Sequence, residues 1–115
     1  MQPAQLDLEK LSASNGSNLV TRLNGRLSLE TVHNFIQTLR PEPAAHLVLD
    51  MSGVTFLDSA GVGALVSIFV TRRNTGKSLA MVGLTKQGLA VLEVAGITKL
   101  IPTFPTVEAA LAAKS

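Results

Sequence analysis

Apolar and polar residues alternate at the start of the chain and then recur at longer spacings. The alternation begins in residues 6–9 (LDLE) and returns at Leu19, Thr21 and Leu23, after Asn15-Gly16. Asn-Gly between two alternating runs is a strong signal for a tight turn that joins antiparallel strands. The first part of the chain is therefore predicted to form a β-hairpin.

A helical spacing follows, in which apolar residues recur every three or four positions: Val32, Phe35, Ile36 and Leu39. Ser28 is predicted to cap this helix, because a serine hydroxyl accepts a hydrogen bond from the first helical turn. Pro41 and Pro43 end it, since proline cannot continue the helical hydrogen bonds. The pattern predicts an amphipathic helix with one buried stripe.

Residues 47–51 (LVLDM) form a nearly continuous apolar run, which is typical of a strand covered on both faces. We place this strand at the centre of the sheet. A further strand is predicted at residues 78–83 (SLAMVG). It lies parallel to the central strand, because the helix that connects the two forms a right-handed crossover. That helix runs from about Ala60 to Thr75, ends at Gly76 and has four predicted core residues: Val62, Leu65, Ile68 and Phe69.

The last third of the chain predicts two more helices and an edge strand. Thr85 is predicted to cap a helix that ends at Gly96 and has an apolar stripe of Leu89, Leu92 and Ala95. Leu100-Ile101 is predicted as a short edge strand. Thr106 caps a last helix, with three predicted core residues: Val107, Ala110 and Leu111. Together, these elements predict an α/β fold in which about four helices cover a mixed sheet of four to five strands. The fold is predicted to form one domain over residues 1–115.

The amino-acid composition of the chain argues against nucleic acid as a binding partner. With 46% hydrophobic residues in a length of 115, the chain can bury one core. Charged residues make up 16%, the net charge is +2, Trp and Tyr are absent and Phe occurs four times. A nucleic-acid interface needs a basic stripe and aromatic stacking partners, so no direct contact with nucleic acid is predicted. Arg72 and Arg73 are predicted to complement the negative end of their helix instead.

The chain has no cysteine, which excludes disulfides, thiolate catalysis and cysteine metal sites. Its first ten residues contain no apolar signal core, and no run approaches the roughly 18 to 20 apolar residues that cross a bilayer. No membrane insertion is predicted, and a cytoplasmic location fits the lack of cysteine.

Residues 56–62 (FLDSAGV) place one carboxylate and one hydroxyl, those of Asp58 and Ser59, at the start of the apolar helix. A helix N-terminus presents unpaired N–H groups and a positive dipole end, which together stabilise a phosphate. A phosphate on Ser59 would add about −1.5 to −2 charges beside Asp58. Two interpretations stay open from these residues. Either Ser59 is a modified switch, or it only caps the helix at about 1 kcal/mol.

The other polar residues indicate no catalytic or metal chemistry. His33 and His46 have no spacing that joins them to Ser59, and each is predicted to be a surface or strand-edge histidine. Ser59 lies in Asp-Ser-Ala-Gly and not in the Gly-x-Ser-x-Gly of a nucleophile elbow. Asp50 and Asp58 are too few to hold a metal ion, and Asp50 is predicted to bond to the turn after its strand. No catalytic residue, metal or cofactor is therefore predicted.

The glycines of Gly61-Val-Gly63 do not form a phosphate-binding loop. They lack the third glycine of a dinucleotide fingerprint and the lysine of a P-loop. One explanation is close packing of the helix start against a neighbour. The other is a shallow surface on which a partner settles, made by small residues at positions 60, 61, 63, 64 and 67.

Residues 50–65 (DMSGVTFLDSAGVGAL) resemble the signature of STAS domains, in particular of bacterial anti-sigma factor antagonists. The similarity extends to four further segments: residues 24–27 (NGRL), 76–79 (GKSL), 89–100 and 107–111. The chain departs from the antagonists at one position. They commonly carry an aspartate directly after the Gly-x-Leu of the second strand, where this chain has Ser28.

The resemblance implies a non-enzymatic regulator in a partner-switching circuit. Unmodified, such a protein captures an anti-sigma factor serine kinase of the GHKL type and frees a sigma factor, and phosphorylation of its serine ends the capture. Ser59 is the implied phosphoacceptor. The kinase brings ATP and magnesium, a PP2C-type phosphatase resets the serine, and the chain itself needs no cofactor. The implied partner-binding residues surround the phosphoacceptor: Ser28, Asp58, Ser59, Ala60, Gly61, Val62 and Gly63.

Two other function classes remain open. STAS domains also serve as accessory subunits of lipid-transport ABC systems, in which the same helix start contacts a partner without a phosphorylation cycle. A small nucleotide-binding or ligand-binding module would instead need a tight pocket near Asp58 and the carboxyl ends of the strands. A neighbouring kinase or phosphatase gene would favour signalling, whereas permease and ATPase genes would favour transport.

Overall fold

A computed structural model describes residues 5–11 and 17–113 of the chain. Within these residues the strands are β1 (Leu6–Leu11), β2 (Asn18–Leu27), β3 (His46–Leu57), β4 (Ser78–Val82) and β5 (Thr103–Phe104). The α-helices are α1 (Val32–Leu39), α2 (Ser59–Asn74), α3 (Lys86–Val94) and α4 (Val107–Ala113), and a single 3-10 turn covers Ile97–Lys99. The described part of the chain thus confirms the predicted mixed α/β architecture.

The five strands form one sheet in the order β1-β2-β3-β4-β5. β1 and β2 pair antiparallel, as the predicted hairpin requires, and the other neighbours pair parallel. The turn predicted at Asn15-Gly16 lies outside the described residues. β3 is the middle strand, which confirms the position predicted from its continuous apolar run.

The edge strand predicted at Leu100-Ile101 is wrong. The N–H groups of Leu100 and Ile101 both donate to the carbonyl of Ile97, so these residues close the 3-10 turn and do not pair with a strand. Ile101 is fully buried. The edge position is taken instead by Thr103–Phe104, which pairs with the end of β4.

Helices cover both faces of the sheet. The larger core lies between one face and α1, α2 and α3, and the smaller one lies between the other face and α4. Successive side chains of β3 point to opposite faces and so contribute to both cores. Leu47 and Leu49 enter the larger core, and Val48 enters the smaller one. None of the helices within the described ranges combines the length and the apolarity that crossing a membrane requires.

The stripes predicted for α1 and α2 are confirmed, since their members are buried or packed against the larger core. The stripe predicted for α3 is only partly right. Leu92 is fully buried, but Leu89 and Ala95 are exposed. Leu92 is the residue of this nine-residue helix that is buried in the larger core, next to the contacts of α3 with the 3-10 turn and β3.

Arg72 and Arg73 both lie in the last turn of α2, at its negative end as predicted, but Arg72 is buried. Its Nε donates to the carbonyl oxygen of Ser78 at 2.8 Å, Nη1 donates to that of Glu42 at 3.1 Å, and Nη2 donates to that of Ala44. The guanidinium therefore joins the last turn of α2 to the segments that enter β3 and β4. The neighbouring Arg73 is exposed.

Arg72 and Glu42 also affect each other electrostatically. Burial lowers the pKa of Arg72 from its usual value, and the charge of Glu42 partly offsets this. Burial alone would raise the pKa of Glu42. Its hydrogen bonds from the Ala44 N–H and from Lys10, together with the charges of Lys10 and Arg72, outweigh burial and lower that pKa. The lowered pKa favours the ionised form of Glu42, whose negative charge in turn favours the charged form of Arg72.

Candidate functional site

The connection from β3 to α2 is a single residue, Asp58. Its backbone is extended, and its Oδ1 accepts a hydrogen bond from the Gly61 N–H at 2.9 Å. Asp58 is therefore the N-cap of α2. The interpretation that Ser59 only caps this helix is wrong, because Ser59 is already the first helical residue and the capping position precedes it.

Ser59 is exposed at the first position of α2. Among residues 5–11 and 17–113, its hydroxyl has no hydrogen-bond partner. The first turn of α2 contains no acidic residue, but the Asp58 carboxylate at the N-cap already lies against the positive end of the helix dipole. The hydroxyl is open to a modifying enzyme, and a phosphate there would share the helix end with Asp58.

The second carboxylate oxygen of Asp58 fixes the connection between β2 and α1. Oδ2 accepts from the backbone N–H of Leu29 at 3.1 Å, across 29 positions of sequence. The Leu29 side chain is 72% exposed. The Asp58 carboxylate thus holds the start of α2 close to Leu29, whose apolar side chain is exposed.

Ser28 does not cap α1 with its side chain, and this prediction is wrong. The helix begins at Val32 with Thr31 at the N-cap, because the Thr31 hydroxyl donates to the Arg26 carbonyl and accepts from the Ser28 N–H. These bonds close a turn before the helix, so α1 begins only at Val32. Ser28 itself is fully buried, with its Oγ 3.4 Å from Glu30 Oε1.

The residues predicted to bind a partner differ in their exposure to solvent. Ser59 and Gly63 are exposed, Asp58, Ala60 and Val62 are half-buried, and Ser28 and Gly61 are buried. A Cβ on Gly61 would lie 2.3 Å from the Leu27 carbonyl oxygen, whereas a Cβ on Gly63 would meet nothing within 4 Å. Close packing therefore explains Gly61, and an open surface remains at Gly63.

The other candidate residues lie away from Ser59. His33 is exposed, and His46, at the opposite end of β3, has its Nδ1 2.7 Å from Ser78 Oγ. Asp50 accepts from the N–H and hydroxyl of Ser52, but β3 continues to Leu57 and Ser52 is part of it, so the predicted bond to a turn after the strand is wrong. Within the described parts of the chain, no three histidine, cysteine or carboxylate residues group to hold a metal ion.

Asp50 also accepts from Arg22 Nε at 3.2 Å. Burial alone would raise the pKa of Asp50. The hydrogen bonds from Ser52 and the hydrogen bond and charge of Arg22 outweigh burial and lower that pKa. Asp50 is thus ionised and fully engaged, which suits a structural role in β3.

An apolar groove of about 390 Å³ lies between the carboxyl end of β3 and α3. We call it the β3–α3 groove, and its lining residues are Val54, Thr55, Phe56, Leu57, Thr85, Gln87, Gly88, Ala90 and Val91. The Arg26 guanidinium lies over the Phe56 ring, 4.1 Å from its centroid. The groove is adjacent in sequence to Asp58 and is open, unlike the tight pocket that a nucleotide-binding module requires.

Replacing Asp58 by alanine is expected to lower the free energy of unfolding by about 1 to 2 kcal/mol, since the change removes an N-cap and the bond to Leu29. Thr85→Ala is the matched control. Thr85 caps α3 through one hydrogen bond, to the Gly88 N–H at 3.0 Å, and its loss is expected to cost about 1 kcal/mol. Urea denaturation followed by circular dichroism gives both values. Equal losses in the two variants would contradict a stabilising role for the Leu29 bond.

A model of the STAS domain family matches residues 10–110. The chain belongs to the STAS domain family. Its fold is similar to the crystal structure of an anti-sigma factor antagonist from Mycobacterium paratuberculosis, with a TM-score of 0.81 and 21% identity over 95% of this chain and 93% of that one. The resemblance stated from residues 50–65 is therefore confirmed at the level of the family.

Two further structures share this STAS fold. The unphosphorylated anti-sigma factor antagonist SpoIIAA has a TM-score of 0.75 and 17% identity, with 93% of each chain covered. A sulfate transporter family protein from Wolinella succinogenes has a TM-score of 0.76 and 19% identity, over 88% of this chain and 87% of that one. Identities this low show the fold alone, and the fold occurs in both regulators and transporters.

Sequence reasoning missed three residues at this end of the STAS domain: Arg26, Leu29 and Phe56. Arg26 and Phe56 lie in segments that resemble the STAS family but were given no role, and Leu29 lies outside those segments. Leu29 reaches Asp58, and Arg26 reaches Phe56, because β2 and β3 pair in parallel with Arg26 opposite Phe56. The only local signal is that Leu29 is an apolar residue among polar neighbours between a strand and a helix.

Proposed function

We propose that this STAS domain is an anti-sigma factor antagonist whose capture of an anti-sigma factor kinase is controlled by phosphorylation of Ser59. The observation that supports this most directly is the exposed, unpartnered hydroxyl at the first residue of α2. It lies beside a carboxylate whose two oxygens are already bonded. In this proposal the protein is not an enzyme, acts in the cytoplasm as a single domain over residues 1–115 and contacts neither nucleic acid nor membrane.

The proposed partner surface combines the exposed groups around Ser59. Leu29 supplies an apolar side chain beside Asp58, and Gly63 leaves space one turn along α2. The half-buried Ala60 adds a small side chain next to Ser59 in the chain. A partner packed here would cover Ser59 and remove it from water.

Phosphorylation would oppose such packing for an electrostatic reason. The phosphate would add about −1.5 to −2 charges next to Asp58. Asp58 cannot turn away without losing its bonds to the Gly61 and Leu29 N–H groups. Burying the added charge without a matching cation is costly, so the partner is released. The partner kinase supplies ATP and magnesium for the transfer, and a PP2C-type phosphatase removes the phosphate.

Phosphorylated protein and Ser59→Asp are expected to bind the partner kinase at least tenfold more weakly than the unmodified protein, a difference of about 1.4 kcal/mol or more. The first step is affinity purification from the source cells, with mass spectrometry of the copurified proteins and of Ser59. A GHKL-type kinase is expected with the wild type and with Ser59→Ala, together with phosphate on wild-type Ser59. The purified kinase then gives the affinities by titration calorimetry.

Ser78→Ala is the control, because Ser78 is also an exposed serine but pairs with His46 at the opposite end of β3 from Ser59, with its Oγ 2.7 Å from His46 Nδ1. This variant is expected to bind and accept phosphate like the wild type. Equal affinity of the kinase for unmodified, phosphorylated and Ser59→Asp proteins would contradict the proposed release mechanism.

A transport-accessory function is the second candidate, because the fold also occurs in a sulfate transporter family protein. As a subunit of a lipid-transport ABC system, the protein would use the same surface around Ser59 without a phosphorylation cycle. The same purification separates the two candidates. Permease and ATPase subunits that copurify with unmodified Ser59 would favour transport over the antagonist.

A further inference from the structure

The β3–α3 groove is not used by the phosphorylation mechanism, yet it continues the surface around Ser59. We propose that it binds an apolar side chain from an acidic segment of the protein partner. The proposal rests on the proposed function in so far as that partner also covers Ser59. It adds a second contact region. There the groove recognises a partner segment by an apolar side chain that fits into it and by the negative charge of that segment.

The lining of the groove suits an apolar side chain. Val54, Leu57, Ala90 and Val91 present aliphatic groups, and Phe56 remains 41% exposed although it stacks against Arg26. Two of the polar lining groups are already engaged, since the Thr55 hydroxyl donates to the Gly25 carbonyl and the Thr85 hydroxyl accepts from the Gly88 N–H. Burial of the exposed aromatic and aliphatic surface would favour binding.

The charges around the groove favour an acidic segment. Among residues 5–11 and 17–113, the Arg26 guanidinium forms no ion pair. α3 begins at Lys86 with no acidic residue in its first turn, so its positive dipole end is also uncompensated. None of the described residues that line the groove is acidic. A carboxylate beside the bound apolar side chain would meet positive charge from both walls.

The position of the groove favours a protein partner over a small amphiphile. Phe56 and Leu57 line it and lead directly into Asp58 and Ser59, so one extended partner surface could cover both regions. The groove is open, and an acyl chain lying in it would stay partly in water. A folded partner covers such a groove from above and excludes that water.

The proposal can be tested with a phage-displayed random peptide library selected against the wild-type protein. Enriched peptides are expected to contain Leu or Phe next to Asp or Glu. Their affinities are then measured by fluorescence anisotropy for two groove variants, Val91→Glu and Arg26→Gln. Val91 is 37% exposed and Arg26 is exposed, so neither change disturbs the core, and circular dichroism checks the fold of each variant.

Each groove variant has a matched control outside the groove. Val70→Glu makes the same change at a valine of α2 that is 44% exposed, and Arg73→Gln removes an exposed arginine. Val91→Glu is expected to weaken peptide binding at least tenfold, and Arg26→Gln about threefold with a reduced salt dependence, as for a charge at the rim of an interface. The two controls are expected to bind like the wild type.

Three results would overturn the proposal. They are an absence of enriched peptides, enrichment without acidic residues, and equal losses for Val91→Glu and Val70→Glu. A titration of the ¹⁵N-labelled protein with sodium decanoate tests the acyl alternative. Saturable shifts at the groove with decanoate and none with peptides would assign the groove to a small amphiphile. Peptide binding to the unmodified protein does not depend on phosphorylation in cells, so this result and the Ser59 result can fail separately.

Discussion

Replacing Arg72 by methionine is expected to lower the free energy of unfolding by about 3 to 5 kcal/mol. The guanidinium donates to the carbonyls of Glu42, Ala44 and Ser78, and methionine fills similar space without any donor. Each buried carbonyl left without a partner costs about 1 to 3 kcal/mol, and partial entry of water reduces the sum. Because the chain has neither Trp nor Tyr, urea denaturation is best followed by circular dichroism.

Arg73→Met is the matched control, since it makes the same change at the next, exposed residue. It is expected to alter stability by less than about 0.5 kcal/mol. Arg72→Lys should fall between the two, because an ammonium group cannot reach all three carbonyls in the fork geometry of arginine. A loss below about 1 kcal/mol for Arg72→Met would mean that water replaces the guanidinium at these carbonyls.

The Gly61→Ala substitution is expected to destabilise the protein by about 2 kcal/mol, although alanine is the better helix former. The added Cβ would lie 2.3 Å from the Leu27 carbonyl oxygen and 2.9 Å from Leu57 Cδ1, so the start of α2 must move. Overpacking of this kind costs about 1 to 3 kcal/mol and outweighs the gain in helix propensity. Chemical denaturation measures the loss, and the amide resonances of Asp58 and Ser59 report the displacement.

The control is Gly63→Ala, the same substitution two positions along the same helix. Its Cβ would meet no atom within 4 Å, so only helix propensity acts. Alanine is favoured over glycine in a helix by about 1 kcal/mol, and a stabilisation of that size is expected. If both variants changed stability in the same direction, the contact with Leu27 would not control the position of α2.

Gly61 also connects stability to the proposed function. Its N–H donates to Asp58, and its missing side chain lets α2 approach β2. A displaced helix start would separate Ser59 from Leu29, which the Asp58 carboxylate holds together. In the proposed mechanism, Gly61→Ala therefore weakens partner binding without altering any exposed partner-binding group.

The sequence by itself predicted the elements whose signals are local. The hairpin, the central strand and the apolar stripes of α1 and α2 follow from hydrophobic spacing. Thr85 and Thr106 cap their helices, and Gly76 and Gly96 end theirs with positive φ, because capping and left-handed backbone depend on residue type at one position. Residues 50–65 likewise carried the family resemblance and the position of Ser59 at the start of α2.

Only the tertiary structure decided which distant groups meet. The parallel pairing of β2 with β3 brings Leu29 to Asp58, Leu27 to Gly61 and Arg26 to Phe56. The packing of α2 buries Arg72 among carbonyls of other segments. These contacts join residues far apart in sequence, and their energies depend on the register and packing of whole elements. Local residue patterns carry no information about register or packing, which is why the bond between Leu29 and Asp58, the buried Arg72 and the β3–α3 groove emerged from the structure.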